Sequence, residues 1–255
     1  MSKLKIKLIV GSTRANRFSE KPAQWIHDLA QARPEIDLER LDLRDYPLPF
    51  FEEPLPPGFA RDNYTNPAIV RWREKVREAD GFIICTPEYN HGYPAILKNA
   101  LDTVYHAWSR KAVAFVSWGG AGGTRGVEQL RLVAIELDMA PIRFAVHIPE
   151  PWFIKEISQI DTEQNRGNAA SLLDNLIWWT GALKGEAIIP VIGERQSAAL
   201  VPSGLDALYR RKPLQALQDT RSRSRAPEVG PTALVRSGGL REALAARFLG
   251  AGATA

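Results

Sequence analysis

The chain has 255 residues, 45% of them hydrophobic, a net charge of +4, one cysteine and four histidines. That is enough for one sizeable core with an appendage, and no apolar stretch reaches the roughly 18 residues of a membrane helix. A lone cysteine excludes an internal disulfide framework and fits a reducing cytoplasm, while the scattered histidines offer no zinc-type ligand cluster.

Residues 1–3 run directly into a strand pattern rather than a signal peptide. Residues 3–10 read as the first strand: Leu4, Ile6 and Leu8 alternate with lysines before Ile9 and Val10 turn fully apolar. The loop Gly11-Ser12-Thr13-Arg14-Ala15-Asn16-Arg17-Phe18-Ser19 follows. A helix begins near Ser19, a plausible N-cap, with Trp25, Ile26 and Leu29 at helical spacing. A strand, a hydroxyl-rich loop and a helix N-terminus form a physical anion site, since backbone N–H groups and the helix dipole converge there. Ser12, Thr13 and Ser19 with Arg14 and Arg17 suit a phosphate monoester. The loop lacks both GxxxxGK[ST] and GxGxxG, so neither of those nucleotide loops is present. A capped helix with two solvated arginines is the plainer reading.

Residues 36–43 form a second strand, with Ile36, Leu38 and Leu41 apolar. Residues 44–67 are rich in proline and aromatic residues and too long for a tight connection, so a functional or interface loop is expected. Residues 67–79 give a second helix on Ile69, Trp72 and Val76. The apolar run Gly81-Phe82-Ile83-Ile84-Cys85 is a buried strand, and Cys85 reads as a core residue rather than a nucleophile. Thr86-Pro87-Glu88-Tyr89-Asn90-His91-Gly92-Tyr93-Pro94 comes next, punctuated by two prolines. Flat tyrosine faces, an Asn side chain, backbone amides and a glycine suit a planar, heteroatom-rich ring. An ordinary strand-to-helix loop remains the alternative.

A third helix spans residues 94–108, where Asn99 and Asp102 read as polar-face residues. Residues 111–118 are apolar throughout, as in a central parallel strand. The glycine-rich turn from Ser117 to Gly126 lacks the spacing of a dinucleotide loop. It permits close approach by a ligand, or is simply flexible. Helix four at 124–137, strand five at 143–148 and helix five at 164–183 complete five β-α repeats. That order predicts an α/β fold: an open parallel five-stranded sheet with helices on both faces. With strand order 2-1-3-4-5, the loops after strands one, three and four meet beside the switch point between strands one and three.

Three motifs make a family resemblance specific: Gly11-Ser12-Thr13-Arg14, Pro87-Glu88-Tyr89-Asn90-His91-Gly92 with Lys98-Asn99-Ala100-Leu101-Asp102 behind it, and Gly119-Gly120 through Arg125. Residues 1–183 resemble the NAD(P)H-dependent FMN reductase family of flavodoxin-like quinone, chromate and azo-type reductases. The resemblance implies that FMN binds through Ser12, Arg14, Arg17, Ser19, Pro87, Glu88, Tyr89, Asn90, Gly92, Ser117 and Gly120. His91 is a possible acceptor-side contact. It also implies hydride transfer from NADPH or NADH through flavin N5 to a quinone, azo or metal-oxyanion acceptor, by turns on one face. No separate catalytic acid–base dyad and no metal are expected, since the flavin carries the chemistry. Backbone amides near the N1–C2=O side would favour the anionic reduced ring. A homodimer or tetramer in the cytoplasm is implied, with no membrane. A flavodoxin-like electron carrier or redox-sensing module without efficient NAD(P)H turnover is the other open reading.

Residues 184–255 depart from the family pattern. They hold 11 Lys and Arg against 6 Asp and Glu, whereas residues 1–183 hold 22 against 23. This basic, low-complexity extension is expected to be disordered and solvated rather than a nucleic-acid or membrane arm.

Overall fold

The computed structural model describes residues 2–53, 55–59 and 64–185. Five strands, β1 (Leu4–Val10), β2 (Ile36–Asp42), β3 (Gly81–Pro87), β4 (Ala112–Gly119) and β5 (Ala140–Pro149), pair in parallel in the order β2-β1-β3-β4-β5. Five helices, α1 (Glu20–Gln31), α2 (Pro67–Glu78), α3 (Ala95–Thr103), α4 (Thr124–Glu136) and α5 (Glu163–Gly185), cover the two faces. The sheet is the flavodoxin-like arrangement the sequence predicts.

Strand alternation sends side chains to two cores. Ile6, Leu8, Val10, Ile83, Cys85, Ala114 and Val116 pack under α1 and α5 with Trp25, Ile26, Leu172 and Leu176. Ile9, Phe82, Ile84, Val113 and Phe115 pack under α2, α3 and α4 with Trp72, Leu97 and Leu130. Every residue of β3 and β4 is buried, so the switch point between β1 and β3 opens only at the strands' carboxyl ends.

Three boundaries differ from the sequence reading. β5 starts three residues earlier, past a register shift between Val113 and Phe115 on its neighbour. The third helix ends at Thr103, and a separate 3-10 turn, His106–Trp108, carries the chain on. α5 continues through Gly185, and Lys184 Nζ lies 2.6 Å from Asp80 Oδ2, so the first two residues of the expected extension are helical. From residue 186 onward that extension lies outside the described residues.

The long segment before α2 is pinned by a residue the sequence left on a polar face. Asn99 is buried; its Nδ2 donates to Pro49 O at 2.8 Å and its Oδ1 accepts from Phe51 N at 3.2 Å. No helix among the described residues is long and apolar enough to cross a membrane.

Candidate active site

The loop after β1 starts at Gly11, whose N–H donates to Cys85 O at 2.8 Å. A Cβ there would come within 3.0 Å of that carbonyl and 3.1 Å of Leu97, so the residue must be small for the loop to lie against β3. Ser12 and Ser19 are each only 1% exposed. Ser12 Oγ meets Tyr89 Oη at 2.9 Å, joining this loop to the one after β3. Ser19 is not the side-chain cap the sequence suggests. Its backbone is already helical (φ −49°, ψ −29°), so its hydroxyl does not close back onto the first turn of α1. Ser19 Oγ is instead buried with no hydrogen-bond partner in the protein. An unsatisfied buried hydroxyl costs free energy unless something meets it. Here it sits at the N-terminal end of a 12-residue helix, where the dipole favours an anion.

Arg14 is exposed, and its carbonyl accepts from Arg44 Nη2 at 2.5 Å. Arg17, read from the sequence as a phosphate ligand, is engaged inside the protein. Its side chain is 2% exposed, its guanidinium grips both Asp42 oxygens and Glu20, and Nη1 also donates to Ser12 O. The hydrogen bond with Asp42, chiefly, holds Arg17 more firmly protonated than usual. Burial pushes the Asp42 carboxyl up, but the bonds from Arg17 and the Arg44 N–H outweigh it and leave it below the ordinary carboxylate range. Asp42 ends β2, 25 residues from Arg17, and nothing local in the sequence links them.

The loop after β3 is a tight turn. Tyr89 N donates to Gly92 O at 2.8 Å and Gly92 N to Tyr89 O at 3.1 Å, while Asn90 and His91 stand at the exposed tip. Pro87 is buried at the strand's end, paired with Trp118. The amides of Glu88, Tyr89 and Gly92 are all engaged, Glu88 N with Trp118 O at 2.8 Å. The Glu88 carboxylate, on the loop expected to bind the ring, faces α4: Oε1 lies 2.7 Å from Arg125 Nη2, and Oε2 accepts from Arg125 N at 3.2 Å. Asn90 is therefore the turn's outward-facing amide side chain.

The loop after β4 is built on Gly122 and Gly123, with φ of 70° and 79°. A Cβ on Gly123 would come within 2.7 Å of Ser117 Cβ, so that position accepts no side chain. Ser117 lies beneath the loop, fully buried. Its Oγ donates to Gly122 O at 2.8 Å and lies 2.8 Å from His147 Nδ1, so with its one proton given to Gly122 it accepts from the imidazole. Burial lowers the His147 pKa, which favours the neutral imidazole. Gly120 is exposed; a Cβ there would approach Trp152 Cη2 at 3.5 Å. Trp152, 62% exposed on the segment after β5, borders this loop, and the sequence reading passed over it.

The arrangement thus places a cradle for an anion at α1 beside a wall of exposed Tyr89, Asn90 and Gly120 suited to a flat ring. The donor set fits a flavin mononucleotide: hydroxyls and a helix N-terminus for the phosphate, an amide and aromatic faces for the ring. Among the described residues no three His, Cys, Asp or Glu gather as a metal site. Cys85 is buried, and burial pushes its thiol up to about 12, so it is not a nucleophile.

Comparison with known proteins agrees. The family model for NADPH-dependent FMN reductases matches residues 4–152. A NAD(P)H-dependent FMN reductase of Schizosaccharomyces pombe is 39% identical over 155 residues, covering 60% of this chain and 78% of the relative. A 2-hydroxy-1,4-benzoquinone reductase of a Burkholderia species is 30% identical, covering 64% and 85%. The solved flavoenzyme NAD(P)H:(acceptor) oxidoreductase of Paracoccus denitrificans shares the fold, with a TM-score of 0.57, 20% identity, and coverage of 70% of this chain and 98% of that one. The chain belongs to the NADPH-dependent FMN reductase family, and is a flavodoxin-like oxidoreductase working with FMN and NAD(P)H.

Proposed function

We propose that this oxidoreductase reduces a quinone-type acceptor, with FMN lying along the carboxyl edge of the sheet, its phosphate at the β1 loop and its ring against the turns after β3 and β4. The observation that carries the placement is the buried, unpartnered Ser19 hydroxyl at the start of α1. Ser12, Ser19, Arg14 and the positive end of the α1 dipole hold the phosphate. Arg17 contributes by tying Ser12 O to Asp42, and so shapes the loop without touching the ligand. Tyr89, Asn90, Gly92 and Gly120 face the ring, while Pro87, Glu88 and Ser117 fix the backbones that carry them. When bound, FMN supplies the N5 position that takes up and gives back a hydride. The protein needs no acid–base dyad for that; it orients the ring, excludes water beneath it and presents one face. His91 and Trp152 border the open side, where the acceptor enters. The acceptor class is supported by the quinone reductases among the relatives. A homodimer in the cytoplasm is part of the same reading.

One flat pocket admits nicotinamide or quinone, not both. Initial rates measured at varied NADPH and quinone are therefore expected to give parallel double-reciprocal lines, with each substrate competing against the other's product form. Intersecting lines would move the acceptor away from the flavin face. Negligible NADPH oxidation in the presence of quinone would favour the electron-carrier reading.

A further inference from the structure

We infer that the first turns of α4, through Arg125 and Gln129, are the positioning element for the ring-binding turn. This rests on the ring-side role proposed above for that turn. Asn90 and His91 are consecutive non-glycine residues with positive φ, 49° and 73°. With the two Tyr89–Gly92 backbone bonds they form a hairpin-type turn whose second central position favours glycine. A histidine there is strained, and such strain persists only where the surroundings over-determine it.

The surroundings are supplied from one side. Gln129 Nε2 donates to His91 O at 2.8 Å, and Arg125 Nη1 donates to His91 Nδ1 at 3.1 Å. Arg125 also holds Glu88 through its side chain at 2.7 Å and its backbone N–H at 3.2 Å. Arg125 and Gln129 are four residues apart and so share one face of α4. The turn and the helix lie close together at two glycines. A Cβ on Gly92 would come within 3.0 Å of Gln129 Oε1, and one on Gly126 within 3.3 Å of the Gly92 carbonyl. All four polar contacts fall on Glu88 or His91, the residues that flank or make the strained turn. Asn90 lies between them and is held in place through them.

The test measures dissociation constants for FMN and for riboflavin, which lacks the phosphate, in the full chain. Arg125→Ala and Gln129→Ala are each made with and without His91→Gly. Each single variant is expected to weaken both flavins by the same factor, roughly tenfold. Adding His91→Gly is expected to restore most of that loss, because glycine holds the turn without help from α4. Three results would overturn the inference: a loss confined to FMN, unchanged flavin affinity with only the KM for NADPH raised, or a loss that His91→Gly does not restore. If Arg125→Ala does not fold, the Gln129→Ala pair decides by the same criterion. Failure of the wild-type chain to bind either flavin would instead defeat the cofactor placement itself.

Discussion

The loop after β1 and the turn after β3 meet through Ser12 and Tyr89 but are held in different ways. The first is braced by the Arg17 guanidinium, locked to Asp42 and Glu20, which leaves the Ser19 hydroxyl without a partner and available to the proposed phosphate. The second is gripped from the side by α4 and carries its strain at the tip. One is a buried electrostatic frame; the other is a strained turn with external support. The difference teaches that phosphate recognition and ring recognition are mechanically separable here, and mutations should split them.

The largest effect is expected at the frame. Asp42→Ala leaves the Arg17 guanidinium buried without its main partner, which costs about 3–5 kcal/mol. Urea unfolding should show that loss, and FMN affinity should fall with it; a change below about 1 kcal/mol would mean that the frame is not what holds the loop. The same pair sets acid behaviour. Asp42 is held below the ordinary carboxylate range, so its stabilisation is present above the unfolded-state pKa and is lost as pH falls through the lowered folded value. Wild-type stability should therefore drop below about pH 4 more steeply than that of Asp42→Asn.

Next come the ligand-facing groups of the β1 loop. On the proposed placement, Ser19→Ala and Arg14→Ala should each remove a bond to a charged phosphate, worth about 1.5–3 kcal/mol. Calorimetry with FMN and with riboflavin should show the loss for FMN alone. Equal losses for both flavins would mean that these residues act through the fold. Asn90→Ala should cost about 1–3 kcal/mol with either flavin, since the ring is common to both. A loss seen only with FMN would break the division between the two regions.

The smallest effect is expected at Cys85. With its thiol pushed up to about 12 and no exposure, it should resist alkylation in the native protein at neutral pH and react only after unfolding. Rapid native labelling would show that the floor between β1 and β3 opens.

The fold was legible because its signals are local. Five apolar runs alternate with helical periods, which gives the open parallel sheet, and the strand order is that of the flavodoxin-like pattern. The three loops proposed for the ligand are recognisable for the same reason, each a strand end followed by glycine or hydroxyl residues. What escaped is what depends on partners far along the chain. The carboxylate that engages Arg17, Asp42, lies 25 residues away. The partner of the Glu88 carboxylate, Arg125, lies 37 residues away. Ser117 faces His147 across a strand pair, a neighbour that only register reveals. Ser19 looked like a cap because capping is the common fate of a serine at a helix start, and only its backbone angles show otherwise. In each case the residue type was chosen correctly for polarity, and tertiary pairing decided what it holds.

The division of labour between the two loops is tested most directly by the ratio of riboflavin to FMN dissociation constants in wild type, Ser19→Ala and Asn90→Ala. The account predicts that the ratio falls roughly tenfold or more in Ser19→Ala and keeps its wild-type value in Asn90→Ala. A ratio that is unchanged in Ser19→Ala, or that falls in Asn90→Ala, would contradict the placement of the phosphate at the start of α1 and the ring at the turn after β3.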